Sequence, residues 1–262
     1  MKDQPSDVNR RKFLKNSGTA LGMAGLAGMA SVSRSFAAEV APSAKKPLID
    51  KNDVILFQGA SVTDAGRNRE KAGTPNIQEA MGTGYAWMAA MELLVDRPND
   101  GLKFYNRGVS GNKVFMLAER WDRDCLELKP DVLSILIGVN DYWHTIDPKI
   151  NYKGTLEIYE RDYRALVERT LKALPNVKLI ICEQCVLRCG AVNDSWFPEF
   201  DRYRAAAKRV AESYNALFVP FHPAFEEATK YAPPEHWAKD GVHPGPEGAS
   251  LMAYHWLKAV QG

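Results

Sequence analysis

The chain has 262 residues, of which 45% are hydrophobic and 25% charged, a balance that excludes collagen-like, disordered and multi-span membrane proteins. Its formal charge of +2 sits at one end: setting aside the six basic and two acidic groups of residues 1–37 leaves 28 basic against 30 acidic in the remainder. The body therefore has no surplus of the kind a nucleic-acid-binding face requires.

In chain order, Asn9-Arg10-Arg11-Lys12-Phe13-Leu14-Lys15 precedes an uncharged, weakly apolar stretch from Ser17 to Ser33, and Ser35-Phe36-Ala37 supplies small residues where a signal peptidase reads. This segment resembles a bacterial twin-arginine export signal, so residues 1–37 are expected to act as a signal peptide that engages the twin-arginine machinery. A retained anchor is the alternative. It fits less well, because Gly18, Gly22, Gly25 and Gly28 dilute the stretch and a spanning helix needs ~20 predominantly apolar residues. Residues 38–47 read as an Ala/Pro/Lys linker and 48–262 as a single domain, expected in the periplasm or outside the cell with no membrane span after processing.

Within that domain, short apolar runs alternate with segments of helical period. Strands are expected at Val54–Phe57, Leu102–Tyr105, Val132–Ile137, Val177–Ile181 and Leu217–Val219. The first, third and fourth are nearly continuous aliphatic runs, as in strands buried on both faces of a parallel sheet. Helices are expected at Tyr85–Val95, Val114–Leu128, Leu156–Leu174, Phe200–Ala216 and Glu247–Val260. Such alternation implies right-handed crossovers and a three-layer α/β/α domain with a five-stranded parallel sheet.

Ligands of open parallel sheets bind outside the carboxyl ends of the strands. Those ends carry Gly59-Ala60-Ser61-Val62-Thr63, then Asn106-Arg107-Gly108-Val109-Ser110-Gly111-Asn112, then Gly138-Val139-Asn140-Asp141, with Asp240-Gly241-Val242-His243 ahead of the last helix. In this order the four blocks resemble those of the SGNH (GDSL-type) hydrolase family. The resemblance implies a flavodoxin-like fold and ester hydrolysis without metal or organic cofactor. It also implies Ser61 as nucleophile, Asp240 and His243 as its partners, and an oxyanion hole made by the backbone N–H groups of Ser61 and Gly108 with the Asn140 amide. One position departs from the pattern: Ala60 stands where the family usually has Asp.

Chemistry favours such a set on its own terms. A serine hydroxyl needs a base within about 2.6–3.2 Å, and an imidazole, with its ordinary pKa of about 6.5, can take the proton and return it to a leaving group. A carboxylate three residues before the histidine can reach Nδ1 and fix the tautomer. A second Asp-x-x-His, Asp141 to His144, follows the third strand, and spacing alone does not choose between the two pairs; the resemblance favours Asp240 and His243. His222, His236 and His255 read as structural.

Cys182, Cys185 and Cys189 form one tight group, short of the two separated pairs of a typical zinc site, so no metal is expected; a Cys185–Cys189 bond stays open. Resemblance to the carbohydrate-esterase branch of the family implies an acylated oligosaccharide or polysaccharide as substrate, most simply an O-acetyl ester. The alternatives are a lipid or thioester acylhydrolase and, given Ala60, a catalytically silent glycan-binding module. Trp143, Trp196 and Trp237 are expected in loops near the strand ends, where they can stack on sugar rings or fill the core. Tyr142 and Trp143 are expected to contact substrate and close a small acyl pocket.

Overall fold

The computed structural model describes residues 47–261; the expected signal peptide, nearly all of the linker and Gly262 lie outside the described residues. Five strands form one parallel sheet: β1 (Val54–Gly59), β2 (Lys103–Asn106), β3 (Val132–Leu136), β4 (Lys178–Cys182) and β5 (Leu217–Val219). They lie in the order β2-β1-β3-β4-β5, the doubly wound flavodoxin-like order, whose switch point lies between β1 and β3. In register, Ile55 lies beside Val132 and Phe57 beside Ser134, so β1 and β3 end together and the loops after them emerge side by side.

Alternation along the strands divides the core into two layers. Leu56, Leu133, Ile135 and Ile181 face one side, with Tyr159, Tyr163, Leu166 and Val167 of α6 (Leu156–Ala173) and Phe200, Ala207 and Val210 of α7 (Glu199–Ser213). Ile55, Phe57, Val132 and Ile180 face the other, against α3 (Tyr85–Asp96) and the last helix, α10 (Pro246–Gln261). Ser134, buried within β3, receives the Trp256 indole N–H at 3.0 Å, which satisfies a polar group at the centre of that layer.

The expected strands and long helices are present with ends shifted by up to three residues, with one break and several additions. The Val114–Leu128 segment is not one helix: α4 (Val114–Glu119) stops and a wide turn of π type, Asp122–Leu126, follows. The break falls where Arg120 turns back to bind Asn112 Oδ1, the Arg107 carbonyl and Asp124. Shorter helices add to the outline: α1 (Ser61–Asp64), α2 (Gln78–Met81), α5 (Val139–Ile146), α8 (Phe221–Ala228) and α9 (Pro234–Trp237). Among the described residues no helix is long and apolar enough to cross a membrane.

Candidate active site

Ser61 opens the single turn of α1 directly after β1. The turn needs Gly59 before it, since a Cβ there would lie 2.4 Å from the Leu136 carbonyl oxygen. As the first residue of a helix, Ser61 has a backbone N–H with no intrahelical acceptor, and no other described residue accepts it. Its Oγ lies 2.8 Å from His243 Nε2. On the far side of the ring, His243 Nδ1 lies 2.6 Å from Asp240 Oδ2.

Asp240 is fixed by its own loop: Oδ1 accepts the backbone N–H groups of Val242 and His243, at 2.9 and 2.7 Å. Partial burial works against its charge, but the His243 ring and these two N–H groups outweigh that and hold the carboxyl below the usual range. The carboxylate accepts Nδ1–H, which leaves Nε2 as the basic nitrogen and lets Ser61 donate to it. Such an arrangement can activate the hydroxyl for acyl transfer.

Asn140 is the second residue of α5, which starts three residues after β3 ends beside β1. Its amide donates to the Asn112 carbonyl at 3.1 Å, so one N–H is fixed to the β2 loop and the other is left to point elsewhere. The β2 loop itself is clamped to the Ser61 turn. Asn106 donates to the carbonyls of Thr63 and Met81; Asp64 accepts both the N–H and the hydroxyl of Ser110 at 2.9 Å; Arg67 donates to the Gly108 carbonyl at 2.8 Å. Burial disfavours charge on Asp64, but Arg69 and Ser110 more than compensate and lower its pKa. Burial likewise lowers that of Arg67 to about 10, so it stays charged at neutral pH.

The clamp corrects the oxyanion glycine. Gly108 N–H is donated to Asn106 Oδ1 at 2.8 Å, and Gly108 is packed so tightly that a Cβ would meet Asp64 N at 2.4 Å. Its N–H is already used in the fold. Three residues on, Gly111 N–H has no acceptor among the described residues. Asn112 N–H bonds to the Val109 carbonyl at 3.1 Å across a turn in which Gly111 alone has positive φ, at 82°; this is a type II turn, whose third position requires glycine or asparagine. The sequence carried both signals. An asparagine two residues before a glycine forms an Asx turn with its N–H, and a glycine at such a turn's third position frees the preceding peptide to flip.

Tyr142 is corrected as well. It is only 4% exposed, packs on Trp196, Phe200 and Tyr203 and donates its hydroxyl to the Ser195 carbonyl, so its side chain fills the core and borders neither cavity at Ser61. Helical geometry explains the split: at about 100° per residue, Tyr142 lies nearly opposite Asn140, whereas Trp143 shares its side. Trp143 stands on α5 rather than in a loop, with its ring 6.3 Å from that of His243. Trp196 is 2% exposed and belongs to the core, and Trp237 ends α9, its N–H bound to the Ala232 carbonyl.

The competing pair is not assembled. Asp141 Oδ1 accepts the Val114 N–H, while Asp141 Oδ2 and His144 Nδ1 are buried with no partner among the described residues. Burial pushes the Asp141 carboxyl up to about 7. The cysteines do not converge: Cys182 lies in the core, Cys185 Sγ is 3.9 Å from His222 Nδ1, Cys189 donates to the Ala238 carbonyl, and these three and the buried Cys125 are all free thiols.

Two cavities meet at Ser61. One, of about 30 Å³, is walled by Ala60, Leu136, Val139, Asn140, Val242 and Met252. The other, about 590 Å³, is a groove bordered by His243, Pro244, Trp87, Met88 and Met91.

A serine, histidine and aspartate thus stand in hydrogen-bonded series on one edge of a 2-1-3-4-5 parallel sheet in an α/β/α fold, an arrangement of the kind serine hydrolases use. A profile of the GDSL-like lipase/acylhydrolase family matches residues 57–251, and the chain belongs to that family; it is a carboxylic ester hydrolase. An acetylxylan esterase of Geobacillus stearothermophilus is 37% identical over 81% of this chain and 95% of its own. A crystal structure of that esterase superposes with a TM-score of 0.72 at 34% identity, over 81% of this chain and 95% of its own, and two further structures of it are of catalytic mutants, one with a serine and one with a histidine replaced by alanine. A GDSL-like lipase candidate from Parabacteroides merdae is 49% identical, with a TM-score of 0.79 over 82% of this chain and 98% of its own.

Proposed function

We propose that the protein is an exported esterase that removes O-acetyl groups from carbohydrate, with Ser61, His243 and Asp240 as its catalytic residues. The observation that carries this reading is the unbroken series from Ser61 Oγ through the His243 ring to Asp240, at 2.8 and 2.6 Å. The acetylxylan esterase relative supports the carbohydrate substrate.

Ser61 Oγ attacks the ester carbonyl carbon as its proton passes to His243 Nε2. The resulting oxyanion receives hydrogen bonds from the N–H groups of Ser61 and Gly111 and the free amide hydrogen of Asn140, each such donor being worth on the order of a hundredfold in rate. Collapse breaks the bond to the alcohol, which leaves with the proton from His243, and acetyl-Ser61 remains. Water then gives a proton to His243 and attacks the acetyl carbon; acetate departs and Ser61 recovers its hydrogen. Asp240 keeps the imidazole in the required tautomer and stabilises its charged form.

The cavity of about 30 Å³ beside Ser61 holds the acyl substituent. It has room for about two water-sized spheres, matching an acetyl methyl and little more. Residues 1–37 direct export by the twin-arginine route, which brings the enzyme to glycans outside the cytoplasm. Acetate release from a panel of acetylated polysaccharides by the mature protein tests the substrate. Release from xylan or a related glycan, exceeding that from short lipid esters and acyl thioesters, supports the reading; the reverse order rejects it. N-terminal sequencing of the protein from the periplasm or medium tests export, with cleavage after Ala37 expected and an intact cytoplasmic chain contradicting it.

A further inference from the structure

We propose that the groove beside His243 receives the alcohol half of the ester as a pyranose ring laid against Trp87. The proposal rests on the assignment of Ser61, His243 and Asp240 above and extends it to the leaving group. Of the two cavities that meet at Ser61, the small one is bordered by Asn140 and not by His243, and the groove is bordered by His243 and not by Asn140. Proton transfer decides which half of the ester goes where. When the tetrahedral intermediate collapses, the departing oxygen takes its proton from His243 Nε2 and must lie within about 2.6–3.2 Å of that nitrogen. The alcohol therefore extends along the His243 side, while the acyl group faces the small cavity.

At about 590 Å³ the groove falls in the usual range of small-molecule sites, roughly 300–1,000 Å³. One wall is the outer face of α3: Trp87 and Met88, both half-buried, and Met91, 46% exposed. Pro244 and Pro246 lie along the groove beside His243. An apolar wall alone suits an acyl chain as well as a sugar. The polar groups of the same groove distinguish them. Gln78, which is exposed, borders it too, and neither its side-chain amide nor the Trp87 indole N–H has a protein partner among the described residues. A hydrocarbon chain packed there would strip water from these groups and return nothing. A pyranose ring covers the indole with its C–H face and offers hydroxyls to both, the pairing of apolar body and polar handle that tryptophan provides at wet interfaces.

The test measures kcat/KM for acetylated xylo-oligosaccharides and for ethyl acetate in the mature wild type, Trp87→Ala and Gln78→Ala, with melting temperatures as a check on folding. Wild type is expected to prefer the sugar ester. The ratio of the two specificity constants should fall about tenfold or more in Trp87→Ala, and by a few-fold in Gln78→Ala, which is a milder surface change, mainly through KM on the sugar ester. Ratios within twofold of wild type in both variants would overturn the groove assignment while leaving the esterase reading intact. A loss in Trp87→Ala that instead deepens along ethyl esters from acetyl to octanoyl would show an acyl chain in the groove and reject the proposal. Absence of any preference for the sugar ester in the wild type would reject the carbohydrate reading itself, and this proposal with it.

Discussion

Two glycines three residues apart, Gly108 and Gly111, are the candidates for the backbone oxyanion donor, and alanine at each should fail in a different way. At Gly111, φ is 82° and an added Cβ meets nothing within 4 Å. Alanine there is opposed only by backbone conformation, about 1–2 kcal/mol, which is a loss of roughly 2–8 °C in Tm for a domain of this size. The turn can relieve that strain by reverting to type I, which rotates the Ser110–Gly111 peptide and carries its N–H away. Losing one oxyanion donor raises the barrier by about 2.7–4 kcal/mol, or a hundred- to a thousandfold in kcat. At Gly108 the added Cβ would lie 2.4 Å from Asp64 N and 2.8 Å from the Thr63 carbonyl carbon, so alanine displaces the turn that carries Ser61 and lowers folding yield and Tm first. The assay is kcat on a soluble acetyl ester, with thermal melting alongside. A Gly111→Ala enzyme that keeps kcat within about threefold of wild type refutes the assignment.

Further outcomes follow from the buried charges and the small cavity. Asp141 titrates near 7 in the fold, against about 3.9 in an unfolded chain. The native state thus binds the proton more tightly, and stability should fall as pH rises from about 4 to 7, by up to about 4 kcal/mol, and then level off; urea unfolding across that range should show the slope in wild type and lose most of it in Asp141→Asn. Asp64→Ala leaves Arg67 buried beside no carboxylate and releases Ser110, and should lower stability by about 3–5 kcal/mol in denaturant titration. Ala60→Val should reduce the cavity beside Ser61 and depress kcat/KM on propionyl and butyryl esters more than on acetyl, by about tenfold per carbon where the chain clashes; an equal loss on all three would show that the acyl group lies elsewhere.

Much of the fold was legible because the strands are long apolar runs and the major helices have full amphipathic periods. Short elements were harder to read. Phe221, Ala224, Phe225 and Ala228 are all buried along α8, a helical spacing hidden by the helix being only eight residues long. In α5, Gly138-Val139-Asn140-Asp141 reads as a polar strand end, and nothing local shows that it begins a helix, so the opposed directions of Tyr142 and Trp143 were not predictable. Ser61 and Asn140 stand out by position at strand ends, and Asp240 and His243 by block order ahead of the last helix, whereas the fate of the Gly108 and Gly111 N–H groups depends on Asn106, whose side chain has one oxygen and gives it to the nearer glycine.

In the proposed mechanism every acyl transfer passes through Ser61. The most direct measurement compares acetate release from acetylated xylo-oligosaccharide by wild-type and Ser61→Ala enzymes of matched melting temperature, with intact-mass analysis after a fluorophosphonate probe. A single adduct on Ser61 in the wild type, none in the variant, and a loss of at least about a thousandfold in kcat are expected. Hydrolysis by the variant at a rate near that of the wild type, or an adduct that persists without Ser61, would contradict that mechanism.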